Sequence, residues 1–127
     1  MIVVDASALV GALVGPTQIA ASRLSREPVL HGPHLLPLEV TSALRKLVAD
    51  RRISDRGAGQ AVDKLAALPL RLHPHTPLLP RIWELRGNLT VYDAAYVALA
   101  EALGLPLVTL DKRLSGAPGL HCVIDVL

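Results

Sequence analysis

Four acidic residues, Asp5, Glu39, Asp93 and Asp111, each stand where an apolar run meets the start of a helical pattern. Asp5 follows Met-Ile-Val-Val, Glu39 follows Leu-Leu-Pro-Leu, Asp93 follows Thr-Val-Tyr, and Asp111 follows Leu-Val-Thr-Leu. A carboxylate at the end of a buried strand is costly unless something compensates it. Four that converge would make a site for a hard divalent cation, which takes oxygen ligands and retains water. Such a cation can activate water, relieve charge on phosphoryl oxygens and assist a leaving oxygen, which is what phosphodiester hydrolysis requires. Singly, each acid has a plainer use. Asp5 and Asp111 can cap helices, Glu39 can complement a helix dipole, and Asp93 can answer Thr90 in a capping box, each worth about 1 kcal/mol. Their shared placement is what points to one site.

The elements that must position them follow from periodicity and punctuation. The chain has 127 residues, enough for one domain, 1–127, with a real core. Half of it is apolar, yet the only aromatics are Trp83, Tyr92 and Tyr96, so Leu, Val, Ile and Ala must fill the interior. Residues 2–4 read as a buried strand and 6–14 as a helix stopped by Gly15-Pro16. Thr17 is placed to cap a second helix to about Arg26, and Val29-Leu30 is a weak strand before a His31-Gly32-Pro33 turn. Pro37 suits the first turn of a helix over about 37–52, with Val40, Leu44, Leu47 and Val48 as its apolar stripe. Ser54 caps the next helix, Leu70–Leu72 is a strand, and Thr76-Pro77 starts a helix toward Arg86. Thr90 opens an Ala-rich helix to about Leu103, ended by Gly104. A strand then runs from Pro106 to Leu110, a short helix starts at Asp111, and Cys122-Val-Ile closes the sheet. Helices alternating with short, continuously apolar strands imply an α/β fold: three layers, α/β/α, around a central and mostly parallel sheet. In such sheets sites lie beyond the carboxyl ends of the strands, where Asp5 and Asp111 fall. Glu39 and Asp93, in first helical turns, are placed to begin at the same edge.

Charge supports a phosphate-rich partner. There are 13 Lys+Arg and 11 Asp+Glu; with four acids neutralised by a cation, seven would face thirteen bases. Arg45, Lys46, Arg51, Arg52 and Arg56 crowd one stretch, and Lys112 and Arg113 directly follow Asp111. An acidic centre in a basic surround suits nucleic acid, although any single Arg here is better explained as part of a solvated helix face. Lys112 or Arg113 could hold a substrate phosphate or could equally serve surface solubility.

Other chemistries find little support. No apolar run reaches the roughly 18 residues that span a membrane, and the N-terminus lacks a basic stretch, so a cytoplasmic protein is expected. One cysteine, Cys122, excludes an internal disulfide and cysteine-based zinc clusters, and is expected in the core. His31, His34, His73, His75 and His121 lie in turns or near Pro and Gly; His73-Pro74-His75 reads as a surface loop without partner ligands. Serine and cysteine nucleophile motifs and a phosphate-binding GxxxxGK[ST] loop are absent. Tyr92 and Tyr96, four apart on one helix face, read as packing ahead of a platform for RNA bases.

The segments MIVVDASALV (1–10), PLEVTSAL (37–44), TVYDAAYVALA (90–100) and LVTLDKRL (107–114) resemble the PIN domain, specifically the VapC-type ribonuclease toxins of bacterial VapBC toxin–antitoxin pairs. The resemblance spans nearly the whole chain, in order. Its most specific pieces surround Asp5 and Asp111; the Glu39 segment is weaker, and 54–86 carries little. It implies that Asp5, Glu39, Asp93 and Asp111 are an acidic quartet binding Mg2+ or Mn2+. It implies too that Ser7 and Thr109 orient ligands or a metal-bound water. It further implies RNA as substrate, a VapB-type antitoxin as partner and a homodimer. Two other classes share features. A phospho-receiver needs two neighbouring acids after its first strand, but Asp5 is followed by Ala6-Ser7, and an Asp-x-Asp phosphatase fails at the same place. A pure partner-binding module would use the acids structurally and bind no Mn2+.

Overall fold

In a computed structural model, which describes all of residues 1–127, five strands form one sheet in the order β3-β2-β1-β4-β5. The strands are β1 (Ile2–Val4), β2 (Leu30–Pro33), β3 (Leu70–His73), β4 (Leu107–Thr109) and β5 (Ile124–Val126). Every pairing is parallel, with Val3 opposite both His31 and Leu107. Strands β1 and β4 are short and buried throughout, aliphatic but for Thr109 at the end of β4, as a sheet covered on both faces requires.

The helices are α1 (Ala6–Val14), α2 (Ile19–Leu24), α3 (Leu36–Ala49), α4 (Asp55–Ala67), α5 (Leu79–Glu84), α6 (Val91–Leu103) and α7 (Lys112–Ser115). Right-handed crossovers from β1 to β2 to β3 put α1–α4 on one face. The chain then returns to β4 and β5 in the opposite direction, which puts α5–α7 on the other. The reversal falls between β1 and β4, and a crevice opens there beyond the strand ends. Asp5 ends one of these strands and Asp111 lies two residues past the other.

Local chemistry explains most boundaries. Asp5 caps α1 by accepting from the Ala8 N–H, Ser54 caps α4 through the Gly57 N–H, and Thr90 caps α6 through the Asp93 N–H. Gly104 ends α6 at φ +65°, a left-handed turn that glycine adopts without penalty. In α6 seven consecutive residues, Ala94–Ala100, are buried, so its small side chains let it lie between the sheet and neighbouring helices. Tyr96 is the one aromatic in an otherwise aliphatic core.

Several boundaries differ from the sequence reading. Thr17 caps nothing: α2 starts at Ile19 and is only six residues long. The expected His31-Gly32-Pro33 turn is strand, because β2 is held by ladders to both β1 and β3, which outweigh local turn preference. Gly32 is there for space: a Cβ would meet Leu36 Cδ2 at 2.4 Å. α3 stops at Ala49, with Arg51 in left-handed conformation at φ 56°. The Thr76 segment begins as a 3-10 turn, Thr76–Leu78, before α5. Cys122 precedes β5 and is half-buried, packed against the core's edge instead of inside it. His73-Pro74-His75 is not a free loop. His73 ends β3, its ring stacks on buried His31 with His31 Nδ1 2.9 Å from His73 Nε2, and His75 Nε2 accepts from the Leu35 N–H at 3.1 Å.

Candidate active site

Asp5 is the most enclosed of the four acids, 7% exposed. Its Oδ1 accepts from the Ala8 N–H at 3.0 Å and from Ser7 Oγ at 2.7 Å, and its Oδ2 accepts from Thr109 Oγ1. The two hydroxyls are themselves fixed, since Ser7 Oγ accepts from the Leu110 N–H at 3.0 Å and Thr109 Oγ1 from the Asp111 N–H at 2.9 Å. Each hydroxyl has one hydrogen. Both are spent on Asp5, so the 3.3 Å approach of Ser7 to Thr109 is a contact of two oxygens and no further bond. These links stitch the ends of β1 and β4 together. Burial pushes the Asp5 carboxyl up, the donors from Ser7, Thr109 and Ala8 hold it down, and Asp93 raises it again by repulsion.

Glu39 sits in the first turn of α3, half-buried, and accepts from Tyr96 Oη at 2.7 Å. Burial raises its carboxyl, Tyr96 lowers it, and Asp93 and Asp5 raise it by repulsion. Asp93 lies in the first turn of α6 and forms no ion pair; burial raises it, the Thr90 hydroxyl lowers it, and Asp111 raises it. Asp111 caps α7 and is the exception. Arg113 donates to it from Nε at 3.0 Å, Nη2 at 2.8 Å and its backbone N–H at 3.0 Å, and holds its carboxyl below the usual range.

The mutual repulsions run Asp111 to Asp93, Asp93 to Asp5, and both Asp5 and Asp93 to Glu39. Two strand ends and two helix starts thus bring the four acids within electrostatic reach of one another. They are not closed into a ligand shell: no three His, Cys, Asp or Glu side chains stand ready to hold a metal ion. Each of Asp5, Glu39 and Asp111 is instead engaged by a neighbour from the chain itself. A groove of about 950 Å³ adjoins the site at Ser7, Glu39 and Leu110, and its lining also carries Lys46, Asp50 and Arg52.

Two site contacts escaped the sequence reading. Arg113 meets Asp111 before any phosphate, and Tyr96 meets Glu39. Tyr96 is only 2% exposed, which removes it as a surface for RNA bases, whereas Tyr92 is 64% exposed. The signal was present in one case: position 96 follows 93 by three, the spacing that puts both on one helix face.

The PIN domain profile matches residues 2–120. Ribonuclease VapC1 of Mycobacterium tuberculosis is 47% identical over 98% of this chain and 96% of its own. Ribonuclease VapC9 of the same species is 44% identical over 100% of this chain and 98% of its own. Among solved structures, VapBC2 from Rickettsia felis, bound to a DNA fragment from its promoter, superposes with a TM-score of 0.72. That match covers 100% of this chain and 99% of the other at 15% identity, a likeness of fold.

Proposed function

Since the chain belongs to the PIN-domain family, we propose that it is a VapC-type endoribonuclease, the toxin of a type II toxin–antitoxin pair, hydrolysing RNA with Mg2+ or Mn2+. The observation that carries this reading is the mutual placement of Asp5, Glu39, Asp93 and Asp111 at the β1/β4 reversal. Asp5, Glu39 and Asp93 are raised by burial foremost and further by a neighbouring acid, which makes them costly as free anions, and the oxygens of all four acids are the donors that Mg2+ and Mn2+ prefer. The donor set therefore fits a hard divalent cation, with all four acids as its holders.

When bound, the cation supplies a nucleophilic water at neutral pH and charge relief at the phosphoryl oxygens. The chain's own residues do the rest. Asp5 is fixed by Ser7, Thr109 and the Ala8 N–H, so these two hydroxyls orient a ligand and need not touch RNA. Asp93, which like Asp5 and Glu39 forms no ion pair, lies at a helix start, where the dipole favours its anion. Lys46 and Arg52, which share the groove lining with Asp50, are the bases placed to give flanking RNA phosphates counter-charge. A VapB-type antitoxin is the expected inhibitor and the toxin is expected to dimerise. One domain, 1–127, suffices for this activity. No helix is long and apolar enough to cross a membrane, and action on RNA in the cytoplasm is the location this reading proposes.

RNA cleavage with Mg2+ or Mn2+ tests the proposal. Wild type is expected to cut RNA, to stop with chelator, and to lose at least about a hundredfold of its rate in Asp5→Ala and Asp93→Asn. Cleavage unchanged in both variants would sink it.

A further inference from the structure

We infer that Tyr96 is a positioning residue that holds Glu39 in place for cation binding, an inference that rests on the metal-site reading above. Tyr96 fills the core as Phe would, yet it carries a hydroxyl, and that hydroxyl ends 2.7 Å from Glu39 Oε1. A buried phenol needs a partner, and this one finds it 57 positions away in the chain.

The geometry assigns the phenol a task that packing alone does not. Glu39 is the one long acid of the four; the other three are aspartates tied within two residues of a helix start or strand end. Its three side-chain torsions must be ordered before its oxygen can serve a cation, at an entropic cost the aspartates largely avoid. Tyr96 is rigid by comparison, with its ring locked in the core and only two torsions. It stands one turn beyond Asp93 on α6, so one helix carries an acid of the site and the anchor of another. By occupying Oε1 it leaves Oε2 as the oxygen Glu39 offers. Partners of this kind behind a metal-binding carboxylate typically change metal affinity by about ten- to a hundredfold.

The test is calorimetric titration of Mn2+ into metal-free wild type, Tyr96→Phe, Glu39→Gln and the double variant, with thermal melts to verify folding. Tyr96→Phe keeps the ring and the core. Its Mn2+ affinity is expected to fall about ten- to a hundredfold, and the double variant to bind no worse than Glu39→Gln, because the phenol acts only through Glu39. Glu39→Asp is a second probe that leaves α6 untouched: it keeps the charge, cannot reach the phenol, and is expected to bind as weakly as Glu39→Gln. Wild-type affinity in a folded Tyr96→Phe, alongside weakened Glu39→Gln, overturns this inference and leaves the metal site standing. Unchanged affinity in Glu39→Gln overturns both. Additive losses in the double variant overturn the route through Glu39.

Discussion

Arg113 occupies both oxygens of Asp111, so a guanidinium from the chain sits where the proposed site needs a cation. The pair is solvent-exposed on the arginine side, 89%, and pairs of that kind are weak. A divalent ion would displace it at small cost, leaving Arg113 beside the site and free to meet a substrate phosphate. Arg113→Ala is therefore expected to tighten Mn2+ binding about two- to fivefold while raising the KM for RNA. Lys112→Ala removes the same charge one residue away, where no carboxylate contact exists, and is expected to leave Mn2+ affinity nearly unchanged. Equal effects in the two variants would mean that only net charge matters. At this scale the sequence was partly legible. Asp5, Asp93 and Asp111 announced themselves by standing at strand and helix junctions, and Ser7 and Thr109 by resemblance. Tyr96 did not, because a Tyr pair spaced by four on one helix looks like packing, and the partner of its hydroxyl lies on another helix.

Strand β2 is the element the sequence misplaced, and it carries a titrating group the site does not use. Histidine, glycine and proline in succession suggest a turn, but two flanking ladders and the close seat of Leu36 over Gly32 make them strand. His31 is thereby buried at 5% exposure with its Nε2 unpartnered. Burial foremost, then repulsion by His73, Arg71 and the N-terminus, holds His31 below its ordinary value of 6.5. The folded chain therefore binds this proton less readily than the unfolded chain. The stability that neutral His31 contributes is complete above about pH 6.5 and is lost as pH falls toward the folded value. His31→Leu lacks that loss. Thermal melts of the metal-free proteins at pH 7.5 and 5.5 are expected to show the difference in Tm moving in the variant's favour at the lower pH. A difference constant with pH would mean that His31 does not titrate in this range. The long helices were easier to read. α1, α4 and α6 carry side-chain caps at Asp5, Ser54 and Thr90, signals that act within four residues and need no tertiary information.

For the molecule as a whole, strand order turns local placement into a site. Nothing in the sequence states that β4 lies beside β1; a parallel sheet of continuously apolar strands permits several orders. The likeness to PIN-domain proteins implied the fold, and the order β3-β2-β1-β4-β5 puts the chain reversal between the two strands that Asp5 and Asp111 follow. Charge acts at this scale too. The basic residues that looked like ordinary helix surface at 45–56 include Lys46 and Arg52, which line the groove leading from Glu39. Its walls are mostly apolar and carry two bases, Lys46 and Arg52, and two acids, Glu39 and Asp50. The central claim remains that four carboxylates form one cation site. The most direct measurement is Mn2+ titration of the metal-free protein near neutral pH, repeated on Asp5→Asn, Glu39→Gln, Asp93→Asn and Asp111→Asn. Saturable binding by wild type, weakened at least about tenfold in each variant, is the predicted result. No binding by wild type, or wild-type affinity in folded variants, would contradict it.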